Sequence, residues 1–468
     1  MVDLTQAHKA SIELLGTRHT ALVEAVRNYV NGSVQPSIDE LIAAIEDVTT
    51  DIDTKEKMLL GLASRQATKP VPSLILDFKT RHYLQGARRP EKGYGIHDLL
   101  TVERATPKWV YSASGRLTEV PANEPAYQHD PVTGEPLGLL IEESRTNLLL
   151  RSEDLDRSVW SKSTAITFSD SMDIGPIEGG ATPQTVSISE LADLGFLYQT
   201  VGVTATTRYS TTSLIRLLNI SESDLIVAFF DATNNSFITQ DASKKIRHVG
   251  GGYIEVTSGV VTPAECTELR FYVHRGSMPP GDVFVHAGSQ LEEAPAPSSY
   301  IPTTDSPVTR AADNVSRVLG DEFNPSEFTI HGDFVFTSVV GFQRVFQLDD
   351  DSNNLKDGTM LNIRRSSSSA NFVIDITDAG EALTTEQVGS IPINENHKYA
   401  LSYNGDNVVL FIDGFEKANF SYPLESGSFS RLRFYHWGGE AQVGGVVASN
   451  YILPRAITET ELQELTTL

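Results

Sequence analysis

The sequence predicts a mainly β protein led by an α-helical coiled coil. Apolar residues fall at heptad spacing before residue 67, and strand-like alternation recurs every ten to fifteen residues after Pro70. Gly, Pro and Asn turn chemistry separates those strands. At about 150 residues per domain, a chain of 468 residues suggests roughly three units. Hydrophobic residues make up 40%, enough for packed cores. Lys and Arg number 37 against 61 Asp and Glu, a formal net charge of −24. That sign argues against gripping nucleic acid or anionic lipid through the bulk surface. A single cysteine, Cys266, excludes an internal disulfide framework and a cysteine-based zinc cluster. No apolar run reaches 18 residues, and residues 1–30 lack a secretory pattern, so a soluble product of a reducing compartment is expected, without membrane insertion.

Residues 1–68 read as a helical oligomerisation and attachment region. A first seam runs Ile12, Leu15, Leu22, Val26, Tyr29, with His19 in the missing slot, and ends at Asn31-Gly32 and Pro36. A second helix restarts at Ser37, which with Glu40 forms a capping box. Its seam runs Ile38, Leu41, Ile45, Val48, Ile52, Lys55, Leu59, Leu62, in alternating steps of three and four. A stripe this narrow has little to bury against except copies of itself, and isoleucine-rich seams without a buried Asn lean toward three strands. A helical hairpin folded onto the same chain is the alternative.

Residues 69–147 read as a β-rich connector. Its strands are expected at Ser73–Phe78, Leu100–Thr106 and Trp109–Tyr111, then Leu137–Leu149 beyond a Pro- and Gly-punctuated loop. The run from Leu76-Asp77-Phe78 through Arg104-Ala105-Thr106 to Gly138-Leu139-Leu140-Ile141-Glu142 and Arg145-Thr146-Asn147 resembles a connector in tail proteins of double-stranded DNA bacteriophages. Downstream, Trp160-Ser161-Lys162, Gly288-Ser289-Gln290-Leu291-Glu292-Glu293, Ser299–Thr303 and Thr309–Asp313 extend that likeness. Arg104, Arg145 and Arg310 sit among apolar or small residues near Asp77, Glu142, Glu143 and Asp313 in the motifs. Bidentate Arg–carboxylate clamps are the expected role, rather than catalysis.

Residues 148–320 show sandwich rhythm, with strands expected at Ala165–Phe168, Phe196–Val201, Tyr209–Ile215, Leu225–Phe230, Gly252–Val256, Glu268–Val273 and Val283–Ala287. The arrangement resembles jelly-roll carbohydrate-binding modules. Trp160, Tyr198, Tyr209, Phe229, Phe230, Tyr253 and Tyr272 could supply a sugar platform, but most are expected in the core and no exposed aromatic cluster stands out. Residues 321–468 carry His397–Gly414, two strands around Asn404-Gly405 followed by an Asp413-Gly414 turn, and a closing helix capped by Thr458 with Glu461. This segment resembles concanavalin A-like, laminin-G-like lectin domains.

Two candidate sites lie there. Tyr435, His436 and Trp437, ahead of two glycines and beside Arg433, could form a receptor platform, with core packing as the alternative. Asp349, Asp350 and Asp351 could hold a hard cation such as Ca²⁺, but lack the Gly and terminal Glu of an EF-hand loop, so a solvated acidic loop is the alternative. No other cofactor is implied. The paired acids of a glycan-cleaving strand are missing, so no enzyme is expected. The resemblance implies a tail fibre or tail-tip protein of the virion, made in the host cytoplasm, and the heptad seams add the expectation of a homotrimer. Its partners would be other tail or baseplate proteins and a bacterial surface glycan or protein. A depolymerase and a purely structural spacer are the competing readings.

Overall fold

The computed structural model describes residues 72–86, 94–189, 192–239, 242–336, 343–352, 358–365, 371–378, 384–424, 429–435 and 444–467. The helical seam from Ile12 to Leu59 and the His436–Trp437 pair lie outside the described residues. What is described is mainly antiparallel β structure, built as two sandwiches with one inside the sequence of the other.

The outer sandwich packs a nine-stranded sheet on a seven-stranded one. Alternation makes its strands: in Phe328–Phe336, Phe328, Ile330, Phe334 and Phe336 are all at most 1% exposed. Rings from the two sheets meet at Phe346–Tyr399, 5.5 Å between centroids, and at Phe336–Phe372, 5.0 Å. In the expected hairpin, His397–Tyr403 pairs with Asn407–Ile412, and Asp413 and Gly414 (φ 52° and 81°) form the two-residue turn into Phe415–Ser421. The helix Glu459–Thr466 closes the edge, with Thr458 and Glu461 in a reciprocal capping box.

Residues 69–147 do not stand as a connector of their own. Leu74–Asp77 pairs with His82–Gln85 on one side and with Gly445–Leu453 on the other, Leu74 opposite Ile452. Pro136–Ile141 pairs with Gly445–Leu453 as well, and Gly138 (φ 137°) allows the approach, since a Cβ there would sit 2.3 Å from the Val447 carbonyl oxygen. Thr101–Glu103 extends the seven-stranded sheet through Asn314–Val318, a strand expected to belong to the middle module. The reason is burial. Leu74, Leu76 and Phe78 are 0–1% exposed in the outer core, and each such side chain contributes about 1.5–3 kcal/mol by leaving water.

The inner sandwich packs a six-stranded sheet, Ile166–Asp170, Gln184–Ile188, Gly281–Glu292, Arg208–Leu217, Ile254–Val261 and Ala242–His248, on a five-stranded one. The second comprises Ser236–Ile238, Ala228–Asp231, Glu268–Met278, Ala192–Gly202 and Trp160–Lys162. Its chain enters and leaves side by side: Arg145–Asn147 pairs with Val308–Arg310, Arg145 opposite Arg310.

A buried ion cluster locks this junction. Asp313 accepts from Arg104 Nη1 at 2.9 Å, Lys108 Nζ at 2.6 Å and the Glu142 amide at 2.8 Å. Lys108 Nζ also meets Glu142 Oε2 at 2.9 Å, and Arg310 Nη2 approaches the same oxygen at 3.7 Å. Arg104 donates further to the Thr106, Glu124 and Pro121 carbonyls at 2.6–3.1 Å. The expected clamps are therefore Arg104–Asp313, Arg310–Glu142 and Arg145–Glu143. Asp77 stands apart from them and caps a turn through the Thr80 amide. Burial pushes the Glu142 carboxyl up, but Lys108 and Arg310 outweigh it and hold the group well below the usual carboxylate range.

Two outcomes are expected. Asp313→Ala strands Arg104 and Lys108 without their shared carboxylate and should cost about 3–5 kcal/mol in a denaturant titration. Glu142 has a depressed native-state pKa, so its stabilisation is complete above the ordinary Glu value near ~4.3 and drains away as pH falls toward the native value; acid titration of the wild type should show that loss. Separately, residues 145–310 expressed alone should melt in one cooperative transition, because that sandwich has its own core.

Candidate functional site

A separate two-stranded hairpin lies against the outer face of the inner sandwich. Lys108–Tyr111 and Leu117–Val120 place Tyr111 and Leu117 on Leu214, Val285, Ala287 and Tyr253, all at most 3% exposed. Beside that contact a cleft of about 810 Å³ opens. Its floor is the outward half of three paired strands. Along Arg208–Leu217, Tyr209 and Ile215 enter the core, while Arg208, Ser210, Thr212 and Leu214 face the cleft. In register, Ser210 lies opposite Gly259, Thr212 opposite Thr257, and Thr257 opposite Lys245.

The wall at residues 295–300 is pinned by two buried carboxylates. Glu292 accepts from the Ser298 amide at 2.9 Å and its hydroxyl at 2.5 Å. Glu142 accepts from the Ser299 amide at 2.9 Å and its hydroxyl at 2.7 Å. On the opposite side Glu255 accepts from Tyr111 Oη and from Arg247 Nη2, both at 2.9 Å, and the Arg247 guanidinium stands 5.2 Å above the Tyr111 ring. Burial first, then the neighbouring Glu255, push the Tyr111 phenol well above its ordinary value, so it stays a donor.

Two groups on the floor have no partner. Ser210 Oγ and Thr212 Oγ1 belong to residues 2% and 5% exposed, and neither makes a hydrogen bond. An unpaired buried hydroxyl costs free energy, and both residues line the cleft under exposed Arg208, Lys245 and Arg247, their hydroxyl oxygens just beneath its surface. The partly buried Trp109 adds an aromatic edge. Hydroxyls below and cations above suit a polyhydroxylated ligand carrying partial or full negative charge. The cleft carboxylates Glu142 and Glu255 are each already tied to cations and donors.

The residues singled out from sequence lie elsewhere. Leu432 and Phe434 enter the outer core, so alternation turns Arg433 and Tyr435 to the other face of the seven-stranded sheet. There Arg433 bonds Asp349 Oδ2 at 2.7 Å, Asp351, and Tyr435 Oη at 2.9 Å; the two residues are 5% and 8% exposed. Arg433 and Tyr435 are thus a buried ion-pair assembly and not an exposed platform. The Asp triplet is likewise corrected. Asp349 and Asp351 are taken by Arg433 and Arg431, and Asp350 accepts from the Ser352 and Thr359 amides at 2.9 Å. Cations from the neighbouring strand already supply the positive charge a Ca²⁺ would bring, and among the described residues no group of three or more His, Cys, Asp or Glu is arranged to hold a metal.

The cleft itself went unread in the sequence. Its signal was the hydroxyl-rich run Ser210-Thr211-Thr212-Ser213 and the basic Lys244-Lys245-Ile246-Arg247 in an acidic chain. Of the candidate sugar-binding aromatics, Trp160, Tyr209, Phe229 and Tyr253 are core, at 0–4% exposure, whereas Tyr198, Phe230 and Tyr272 share an outer sheet face.

No protein family and no curated protein matches the chain. Solved structures show partial likeness. A native heptameric SAP-like pentraxin from Limulus polyphemus is similar over 30% of this chain and 68% of its own, at 10% identity and TM-score 0.23. The galectin LEC-6 of Caenorhabditis elegans is similar over 29% and 88%, at 14% identity and TM-score 0.22. The tandem CBM22-1–CBM22-2 domains of Paenibacillus barcinonensis Xyn10C are similar over 70% and 95%, at 12% identity and TM-score 0.25. Scores this low transfer neither fold nor activity.

Thr212→Val keeps the side-chain shape and removes an unpaired hydroxyl. Stability by thermal melting should stay level or rise by up to about 1 kcal/mol; a drop larger than that would mean the hydroxyl has a partner in the free protein.

Proposed function

We propose that this chain is an adhesin of a bacteriophage tail, a tail fibre or tail-tip protein, whose inner sandwich holds a bacterial surface glycan in the cleft. The observation that carries the glycan reading is the pair of buried hydroxyls without partners, Ser210 and Thr212, beneath Arg208, Lys245 and Arg247. Sugar hydroxyls and ring oxygens would pair the two orphans, and an acidic substituent would meet the cations at the rim. The tail assignment rests on the connector motifs, from Leu76-Asp77-Phe78 to Arg145-Thr146-Asn147 and on to Thr309–Asp313.

Binding rather than cleavage is the proposed activity. Glu142 is held well below the usual carboxylate range by Lys108 and Arg310, and Glu292, which burial pushes up, has its oxygens taken by Ser298 and Gln290, so neither is free to act on a glycosidic bond. Three copies joined through the N-terminal seams would turn weak single contacts into avidity, since linked sites raise the effective concentration of the next. The assembled protein would act on the virion, with other tail proteins at its attachment end.

The test is retention on immobilised purified lipopolysaccharides and capsular polysaccharides. Wild type should bind a subset saturably, and the Ser210→Ala/Thr212→Val double variant should lose about thirtyfold in affinity, at roughly 1 kcal/mol per hydrogen bond. Binding unchanged in that variant, or new reducing ends released from the polysaccharide, would overturn the reading. Light scattering should return three times the 51.2 kDa chain mass; a monomer would remove the avidity argument.

A further inference from the structure

The outer face of the five-stranded sheet of the inner sandwich bears a continuous row of five rings. Successive centroids lie 5.7 Å apart for Phe196–Tyr198, 4.8 Å for Tyr198–Tyr272, 6.1 Å for Tyr272–Phe237 and 4.9 Å for Phe237–Phe230. The rings come from four strands brought into register, Tyr198 opposite Tyr272 and Phe230 opposite Phe237. The core beneath is complete without them: their sequence neighbours Leu197, Phe229 and Phe271 fill it at 0% exposure. Phe237 is 50% exposed, and Phe196, Tyr198 and Phe230 are partly exposed.

Two guanidinium groups are set into this row. Arg270 lies 5.1 Å from the Tyr198 centroid and 5.0 Å from that of Phe230; Arg275 lies 4.1 Å from that of Phe237. Neither forms an ion pair among the described residues, and Arg270 Nε has no hydrogen-bond partner. In a chain of net charge −24, two arginines set over aromatic rings and without an ion pair among the described residues place positive charge where a ligand can use it.

We propose that this face is a second glycan site, specific for an acidic polysaccharide. Pyranose C–H faces rest on the ring row, and sugar carboxylates pair bidentately with Arg270 and Arg275. A nucleic acid fits the face poorly. Adjacent rings are tilted by 38–70°, which leaves no parallel slot for a base. The site lies on the other sheet from the Ser210–Thr212 cleft, so it stands or falls independently of that reading.

Calorimetric titration of the full chain with polygalacturonate, alginate and hyaluronate tests it, with dextran as the neutral control and a single-stranded DNA oligomer as the competing polyanion. At least one acidic polymer should bind and dextran should not. Arg270→Gln, Arg275→Gln and Phe237→Ala should each weaken that binding by about tenfold with melting curves unchanged. Arg270→Lys, which keeps the charge without the plane, should not restore full affinity. Binding of none of the three acidic polymers, equal binding by wild type and the platform variants, or tighter binding of the DNA oligomer lost in the same variants would each overturn the proposal.

Discussion

Arg104, Lys108, Glu142, Arg310 and Asp313 are buried together where the two sandwiches join, and none can be left there alone. A charge removed from water is tolerable only when its partners and hydrogen bonds are all in place. The participants are far apart in sequence, so the strand carrying Arg104 and Lys108, the strand ending at Glu142 and the segment leaving the inner sandwich must close in one event. The Asp313 amide donates to the Glu142 carbonyl, and the Glu142 amide donates to the Asp313 carboxylate, which fixes register as well as charge.

The cleft inherits its shape from that junction. Lys108 begins the hairpin whose Tyr111 forms one wall, and Glu142 reaches from the ion cluster to the Ser299 amide and hydroxyl on another. Glu292, at the end of the strand beside the floor, holds the adjacent Ser298. The floor is ordinary sheet, but its walls come from both sandwiches. A module of this kind excised from its host would keep the hydroxyl row and lose part of the enclosure.

Charge in this protein is placed unevenly. Most arginines of the outer sandwich are used internally, as with Arg433 and Arg431 on Asp349 and Asp351, or Arg317 on Glu322 at 2.7 Å. The inner sandwich instead presents cations outward on both faces, Arg208, Lys245 and Arg247 above hydroxyls on one, Arg270 and Arg275 among rings on the other. Against an acidic background such spots focus attraction for anionic groups that can reach them.

Local properties were legible in the sequence. Alternation located Arg208–Leu217, Glu268–Met278 and Gly281–Glu292, the Asp413-Gly414 turn declared its hairpin, and Thr458 with Glu461 declared the last helix. The isolation of Arg104 and Arg310 among apolar residues foretold clamps, because a buried guanidinium requires a carboxylate. Partner choice was not legible. Leu74 opposite Ile452, Asn314–Val318 in the outer sheet, Arg433 turned onto Asp349 and the five rings aligned from four strands all depend on which edge and which face the rest of the chain leaves open. Side-chain alternation is set within a few residues, whereas strand pairing minimises exposed apolar area and unpaired charge over the whole chain, and only the folded structure decides that competition.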